Sequence, residues 1–158
     1  MTVPLPVAEV FRFFEDPLNL ARITPPELRF VVKTPRPIEM RPGALIDYTI
    51  RWLGLPMKWR TRICAYQPGK YFIDEQIRGP YKLWRHRHDF VEVSGASRIS
   101  DHVEYELPLG LLGRIAHAAI VGRQLEWIFA YRQRAIVQIF GVPGISFTNP
   151  QIVRPDTR

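Results

Sequence analysis

The 158-residue chain has one cysteine, Cys64, so neither an intrachain disulfide nor a cysteine metal cluster can form and the fold must rest on packing. It has no apolar run of about 18 residues, the length a membrane-crossing helix requires, and no integral membrane segment is expected. It also lacks any Lys/Arg block of five or six. The 22 basic and 15 acidic residues give a formal charge of +7, but the basic side chains are spread along the chain and often alternate with acidic ones. That distribution reads as a solvated basic surface and argues against a nucleic-acid partner. Internal repeats and low-complexity tracts are missing, which excludes solenoid and repeat architectures. Met1 to Pro6 carry neither the basic leader nor the apolar core of a secretory signal, so a cytoplasmic location is the expectation.

What is present is a long helical pattern near the C-terminal end. Over Leu112 to Phe140, Ile115, Ala119, Gly122, Leu125 or Glu126, Phe129, Ile136 and Ile139 recur at helical spacing. At about 1.5 Å per residue this helix would span roughly 40 Å, the full width of a curved antiparallel sheet. Gly141 and Pro143 lie just past its end, as helix stop signals do. Near the N-terminus, Val7, Val10, Phe11 and Phe14 mark a short amphipathic helix after Pro6. Leu18 to Arg22 allow a second, which Thr24-Pro25-Pro26 ends.

Between these helical regions the chain reads as strands. Leu28 to Lys33 form one, and Pro35 to Gly43 the loop after it. Ala44 to Trp52 and Met57 to Tyr66 flank Leu53-Gly54-Leu55-Pro56. Setting Trp52 opposite Met57 brings Ile50 to Trp59, Tyr48 to Thr61 and Ile46 to Ile63 on one face, with charged residues on the other. Tyr71 to Arg78, Lys82 to Glu92 and Arg98 to Leu107 continue the alternation; Glu75 falls outward opposite Arg62, and Glu104 outward opposite Arg85. The segment from Val142 to Arg158 shows no periodicity and is expected to be an irregular tail beside a domain of residues 1–141.

On this register Tyr48, Thr61, Asp74, Gln76, His86, His88, Asp101 and Tyr105 all point to a face that should be buried. Unpaired buried polar groups cost about 1–3 kcal/mol each, so these must bond one another, bond water, or line a cavity. Asp74 falls opposite His86, and His88 opposite Asp101. Three readings fit: an interior network that fixes register, the polar anchor of an apolar ligand site, or acid/base catalysis by His86 or His88. No nucleophile or oxyanion donor can be named beside the two imidazoles, and no third metal ligand is established. Neither a metal nor another cofactor is expected. Trp52, Trp59, Trp84, Trp127, Phe129 and Tyr131 are ordinary core candidates whose bulk could also wall a pocket. His117, near the start of the long helix, could face either way.

Helix pair, antiparallel strands and long terminal helix resemble the helix-grip fold of the START and Bet v 1 superfamily, an α+β class. The resemblance is carried by Asn19 to Phe30 with its Thr24-Pro25-Pro26, by Phe72-Ile73-Asp74-Glu75-Gln76 and Gly79-Pro80-Tyr81, and by Trp84 to Phe90 and Asp101 to Pro108. These stretches are similar to the bacterial cyclase/dehydrase-like (SRPBCC) ligand-binding proteins, over about Val7 to Phe140. The superfamily includes lipid carriers, hormone receptors and polyketide cyclases, so fold alone does not assign activity. The resemblance implies a cavity between the concave sheet and the long helix, with the small helices near its mouth. Its wall would comprise Tyr48, Trp59, Thr61, Asp74, Gln76, Trp84, His86, His88, Asp101, Tyr105 and Phe129. One departure stands out: only Met1 to Pro4 precede the first helix, where the superfamily usually has a full strand, so a sheet edge is expected to be less protected. Taken together, the sequence favours a protein that binds a small hydrophobic, lipid- or polyketide-like molecule without catalysis. The alternatives are a cyclase/dehydrase using an inward histidine as acid or base, and an interaction module with a filled core.

Overall fold

The computed structural model describes residues 1–52, 54–108 and 121–153, and of Trp52 the backbone. In chain order the elements are β1 (Thr2–Val3), α1 (Val7–Glu15), α2 (Asn19–Arg22), a 3-10 turn (Pro26–Leu28), β2 (Val31–Val32), β3 (Leu45–Trp52), β4 (Leu55–Gln67), β5 (Tyr71–Arg78), β6 (Leu83–Val93), β7 (Ala96–Glu106), α3 (Gly122–Phe140) and β8 (Gln151–Val153). The strands form one curved sheet in the order β1-β7-β6-β5-β4-β3-β2, with β8 also on β7. The architecture is α+β, a sheet gripping one helix.

Alternation of apolar and polar residues sets the two faces of the sheet, and tight turns set the register. At the β6–β7 hairpin, Val93 pairs with Ala96, and Ser94 and Gly95 both have positive φ (51° and 79°). This is the two-residue geometry that matches strand twist. The β3–β4 hairpin is tighter than the sequence suggests. Trp52 pairs with Leu55, which puts Ile50 opposite Met57, Tyr48 opposite Trp59 and Ile46 opposite Thr61. A two-residue connection replaces the four-residue one, and the shift of two preserves which side chains face inward. The pairings of Arg62 with Glu75, Asp74 with His86, and His88 with Asp101 are as expected. Arg85 sits opposite Glu104 in register, yet its ion pair is with Glu75 at 3.6 Å.

Two further expectations are corrected. The strand expected over Leu28 to Lys33 reduces to Val31–Val32, because the 3-10 turn through Leu28 ends on Arg29 in the left-handed conformation (φ 43°). The segment after Val142 is not irregular throughout. Its β8 runs parallel to His102–Glu104 of β7, and Ser146 bridges Thr2. In the first strand Thr2 pairs with Arg98 and Val3 with Ser97. β8 covers a further part of the same edge of β7, which answers the exposure that a short first strand creates.

Of the expected long helix, Gly122–Phe140 is seen, and residues 112–120, with Ile115, His117 and Ala119, lie outside the described residues. It stops at Gly141, whose left-handed φ of 62° lets its N–H reach Val137 O at 3.0 Å. Leu125, Phe129, Arg132, Ala135 and Ile136 are its buried residues. The C-terminal half of α3 and the apolar face of α1 close on one end of the sheet. There Val10, Phe11, Phe72, Phe90, Ile99, Ala135 and Ile136 form a filled core. The ring of Phe11 meets Phe90 and Phe72 edge-on at 5.0 and 6.2 Å.

Candidate functional site

Toward the other end of the same sheet the packing opens. A cavity of about 190 Å³ lies between β3–β6, α3, and a cover made by α1, α2 and the loops after them. It exceeds the cavity of about 150 Å³ that takes up benzene in an engineered protein. Ile46, Ile50, Ile63, Phe72, Trp59 and Trp84 come from the strands, Leu125, Ile128 and Phe129 from α3, and Phe13, Phe14, Leu20, Ile23, Phe30 and Met40 from the cover. The interior at this end is therefore not the solid core that the interaction-module alternative expects.

The polar groups of this wall gather in one place. Asp74 on β5, His86 and His88 on β6 and Asp101 on β7 form a closed four-residue network, because alternate residues on neighbouring strands share a face. His86 Nε2 is 3.0 Å from Asp101 Oδ1, and His88 Nε2 is 3.4 Å from Asp74 Oδ2. His88 Nδ1 also lies 2.9 Å from Asp101 Oδ1, but without the alignment of a hydrogen bond. The two imidazoles are buried, with centroids 3.7 Å apart, and Phe72 stacks on His88 at 4.3 Å.

At that separation the rings act as one coupled unit. Burial opposes charge on His88, but its contacts with Asp101 and Asp74 outweigh burial and raise its pKa above the ordinary histidine value. For His86, burial and the neighbouring His88 prevail over the same carboxylates and lower its pKa. Burial also opposes ionisation of Asp101, yet the hydrogen bond with His86 and the close approach of His88 hold its carboxyl well below the usual carboxylate range.

Next to this network Tyr48 OH and Thr61 Oγ1 are 3.3 Å apart, and Trp59 Nε1 donates to Thr61 Oγ1 at 3.1 Å. Burial, assisted by the charge of Asp74, pushes the Tyr48 hydroxyl well above its ordinary pKa, so it stays neutral. Tyr81 and Trp84 pack at 4.8 Å and meet Trp59 at 5.6 Å each, completing an aromatic wall.

Eight of the eleven side chains read from the sequence face the cavity: Tyr48, Trp59, Thr61, Asp74, Trp84, His86, His88 and Phe129. Three do not. Asp101 sits behind the imidazoles and holds them rather than lining the space. Gln76 is turned to the β5–β6 connection, where its Nε2 donates to Tyr81 O at 2.6 Å and its Oε1 accepts from Tyr81 N at 3.3 Å. Tyr105, 1% exposed, is packed with Val103, Val121 and Leu125 behind Tyr81 and Trp84. Among the other aromatics, Trp127 is exposed, Tyr131 packs on the filled core, and the Trp52 side chain lies outside the described residues.

The residue that the sequence reading passed over is Arg132. It lies on α3 one turn beyond Phe129 in the stripe that continues to Ile136, is 8% exposed, and lines the cavity. Its Nε is buried without a hydrogen-bond partner, and its guanidinium lies 5.0 Å from the Phe129 ring centroid. No ion pair to it forms among the described residues. Burial lowers its pKa, and Asp101, Asp74 and Tyr48 act in the opposite direction. An arginine side chain keeps its charge under these conditions. The signal was available: the apolar stripe has a gap between Phe129 and Ile136, and an arginine occupies it.

Asp74, His86 and His88 could also converge on a cation, since each offers a ligand atom and these lie within 4.8 Å of one another. The guanidinium in the same cavity and the engagement of His86 Nε2 by Asp101 weigh against a cation and favour a hydrogen-bonding anchor.

A curved sheet gripping a helix around an apolar space with one polar corner defines a fold of the Bet v 1 type. The solved structures agree on the fold. Protein Ms6760 of Mycobacterium smegmatis matches 89% of this chain and 87% of its own at 15% identity and a TM-score of 0.65. Zhui aromatase/cyclase of Streptomyces sp. R1128 matches 92% and 95% at 16% identity and TM-score 0.61, and Ara h 8.0201 matches 86% and 93% at 15% identity and TM-score 0.56. The model of the family described as polyketide cyclase/dehydrase and lipid transport matches residues 3–128, and the chain belongs to that family. No curated protein matches the sequence. No helix among the described residues is long and apolar enough to cross a membrane.

Proposed function

We propose that this protein binds a small hydrophobic molecule, lipid- or polyketide-like, between the sheet and α3, and that it does so without changing it chemically. The observation that carries this reading is the cavity itself: about 190 Å³, walled mainly by apolar and aromatic side chains, with its polar groups confined to one corner. Burial of apolar ligand surface, about 25 cal/mol per Å², supplies the affinity, and the polar corner orients the ligand. Family membership supports the class of molecule bound, since the family's description names polyketide cyclase/dehydrase and lipid transport. Native mass spectrometry of protein purified from its own host tests it. A non-covalent adduct released by organic solvent is expected. Protein that emerges empty and also fails to take up any hydrophobic fluorophore would overturn the proposal.

The second reading, a cyclase or dehydrase, has one observation in its favour: a pair of imidazoles 3.7 Å apart at the cavity wall, of which His88 has its pKa raised by Asp101 and Asp74. An enzyme needs such a group near its substrate. His86→Ala distinguishes the two. Under binding alone it weakens ligand uptake, whereas under catalysis it leaves uptake in place and abolishes turnover.

A further inference from the structure

We propose that the ligand is an organic acid, and that its carboxylate pairs with the guanidinium of Arg132 while its apolar body fills the cavity. The inference rests on the cavity-binding reading above and names the ligand class. Arg132 is 8% exposed and opens onto the cavity, and its Nε is buried without a partner. Its one close contact of note is with the ring of Phe129. A ring contact of that kind occupies the face of the guanidinium and leaves its in-plane edge, where the Nε–H has no partner, available to an acceptor.

The protein's own carboxylates do not meet this need. Asp101 and Asp74 are engaged by His86 and His88, and neither forms an ion pair with Arg132. Arg132 therefore borders a space large enough for a ligand, whose wall is mainly apolar and whose other polar groups, Tyr48, Thr61, Asp74, His86 and His88, lie in one corner. A planar carboxylate matches a planar guanidinium, accepting two parallel hydrogen bonds, and an ion pair gains strength where water is excluded. The cavity volume adds a size limit. At about 190 Å³ it has room for one or two fused rings or a medium alkyl chain bearing one acid group.

The test compares 2-naphthoate with its methyl ester by isothermal titration of the wild-type protein. The two probes share the apolar body and differ in the charge. The acid should bind at least about tenfold more tightly than the ester. Arg132→Met should erase that preference while the ester binds as before, and Arg132→Lys should retain part of it. Octanoate and 2-naphthoate, each used to displace the other, separate an alkyl acid from an aryl acid as the better occupant. Equal affinity for acid and ester, or displacement of the acid by millimolar inorganic phosphate, would overturn the proposal while leaving cavity binding intact. If neither probe binds the wild type, cavity binding itself falls and this inference with it. The wild-type comparison stands on its own even if a variant fails to fold.

Discussion

The two ends of the space between sheet and helix are built from the same elements and carry opposite chemistry. At the filled end, β5 contributes Phe72, β6 Phe90, β7 Ile99 and α3 Ile136. One inward step along each element, these become Asp74, His88, Asp101 and Arg132. The first set packs to the density that holds a small domain together. In the second, Asp74, His88 and Asp101 are tied to one another and to His86, the Nε of Arg132 is left without a partner, and the space in front of them stays open. Stability and binding thus occupy adjacent stretches of the same strands, and substitutions at the two ends should separate them.

The largest effect should come from the filled end. Phe11→Ala removes a ring that contacts Phe72 and Phe90, and should cost about 3–5 kcal/mol in urea unfolding. A loss below about 1 kcal/mol would mean that this end is not the stabilising core.

Asp101→Asn should come next, at about 1.5–3 kcal/mol near neutral pH, because the imidazoles lose a charged acceptor. The pH dependence follows from the direction of the shift. The Asp101 pKa is lower folded than unfolded, so its stabilisation is fully present above the unfolded value of about 3.9 and is lost as pH falls through the lower folded value. Unfolding measured from pH 6 down to pH 2 should therefore show a steeper acid decline for the wild type than for the variant. Parallel curves would contradict the network.

Arg132→Met should leave stability within about 1 kcal/mol of the wild type or raise it, since replacing a buried charge by an apolar side chain is often neutral or stabilising. A loss of several kcal/mol would show that Arg132 serves the fold as a partner of Asp74 and Asp101. The effect of Gln76→Ala should be confined to stability. It removes two hydrogen bonds to Tyr81, for a loss of about 1 kcal/mol, and should leave ligand affinity unchanged. A fall in affinity would return Gln76 to the site.

The faces of the strands were legible from the sequence because alternation has a period of two and survives a wrong turn length. Tyr48 and Trp59 were placed inward correctly even though their pairing was off by two residues. The histidine–aspartate pairings were legible because glycines mark the turns on either side of β6. Other features were not. That Gln76 turns to its own connection depends on where the backbone of Tyr81 lands, which alternation does not encode. The docking of β8 on β7 is a contact between segments almost fifty residues apart, with no periodic pattern in the shorter one. Arg132 was missed for a different reason. A helical stripe is read from its apolar members, so a charged residue inside it looks like a gap.

The open end is tested most directly by filling it. Ile128 lies on the cavity wall from α3, and Ile128→Trp adds bulk where a ligand would sit. Isothermal titration with 2-naphthoate should give one saturable site per chain for the wild type and none for the variant, with the two proteins sharing the same far-ultraviolet circular dichroism. Equal binding by both would place the ligand elsewhere and contradict a site between the sheet and α3.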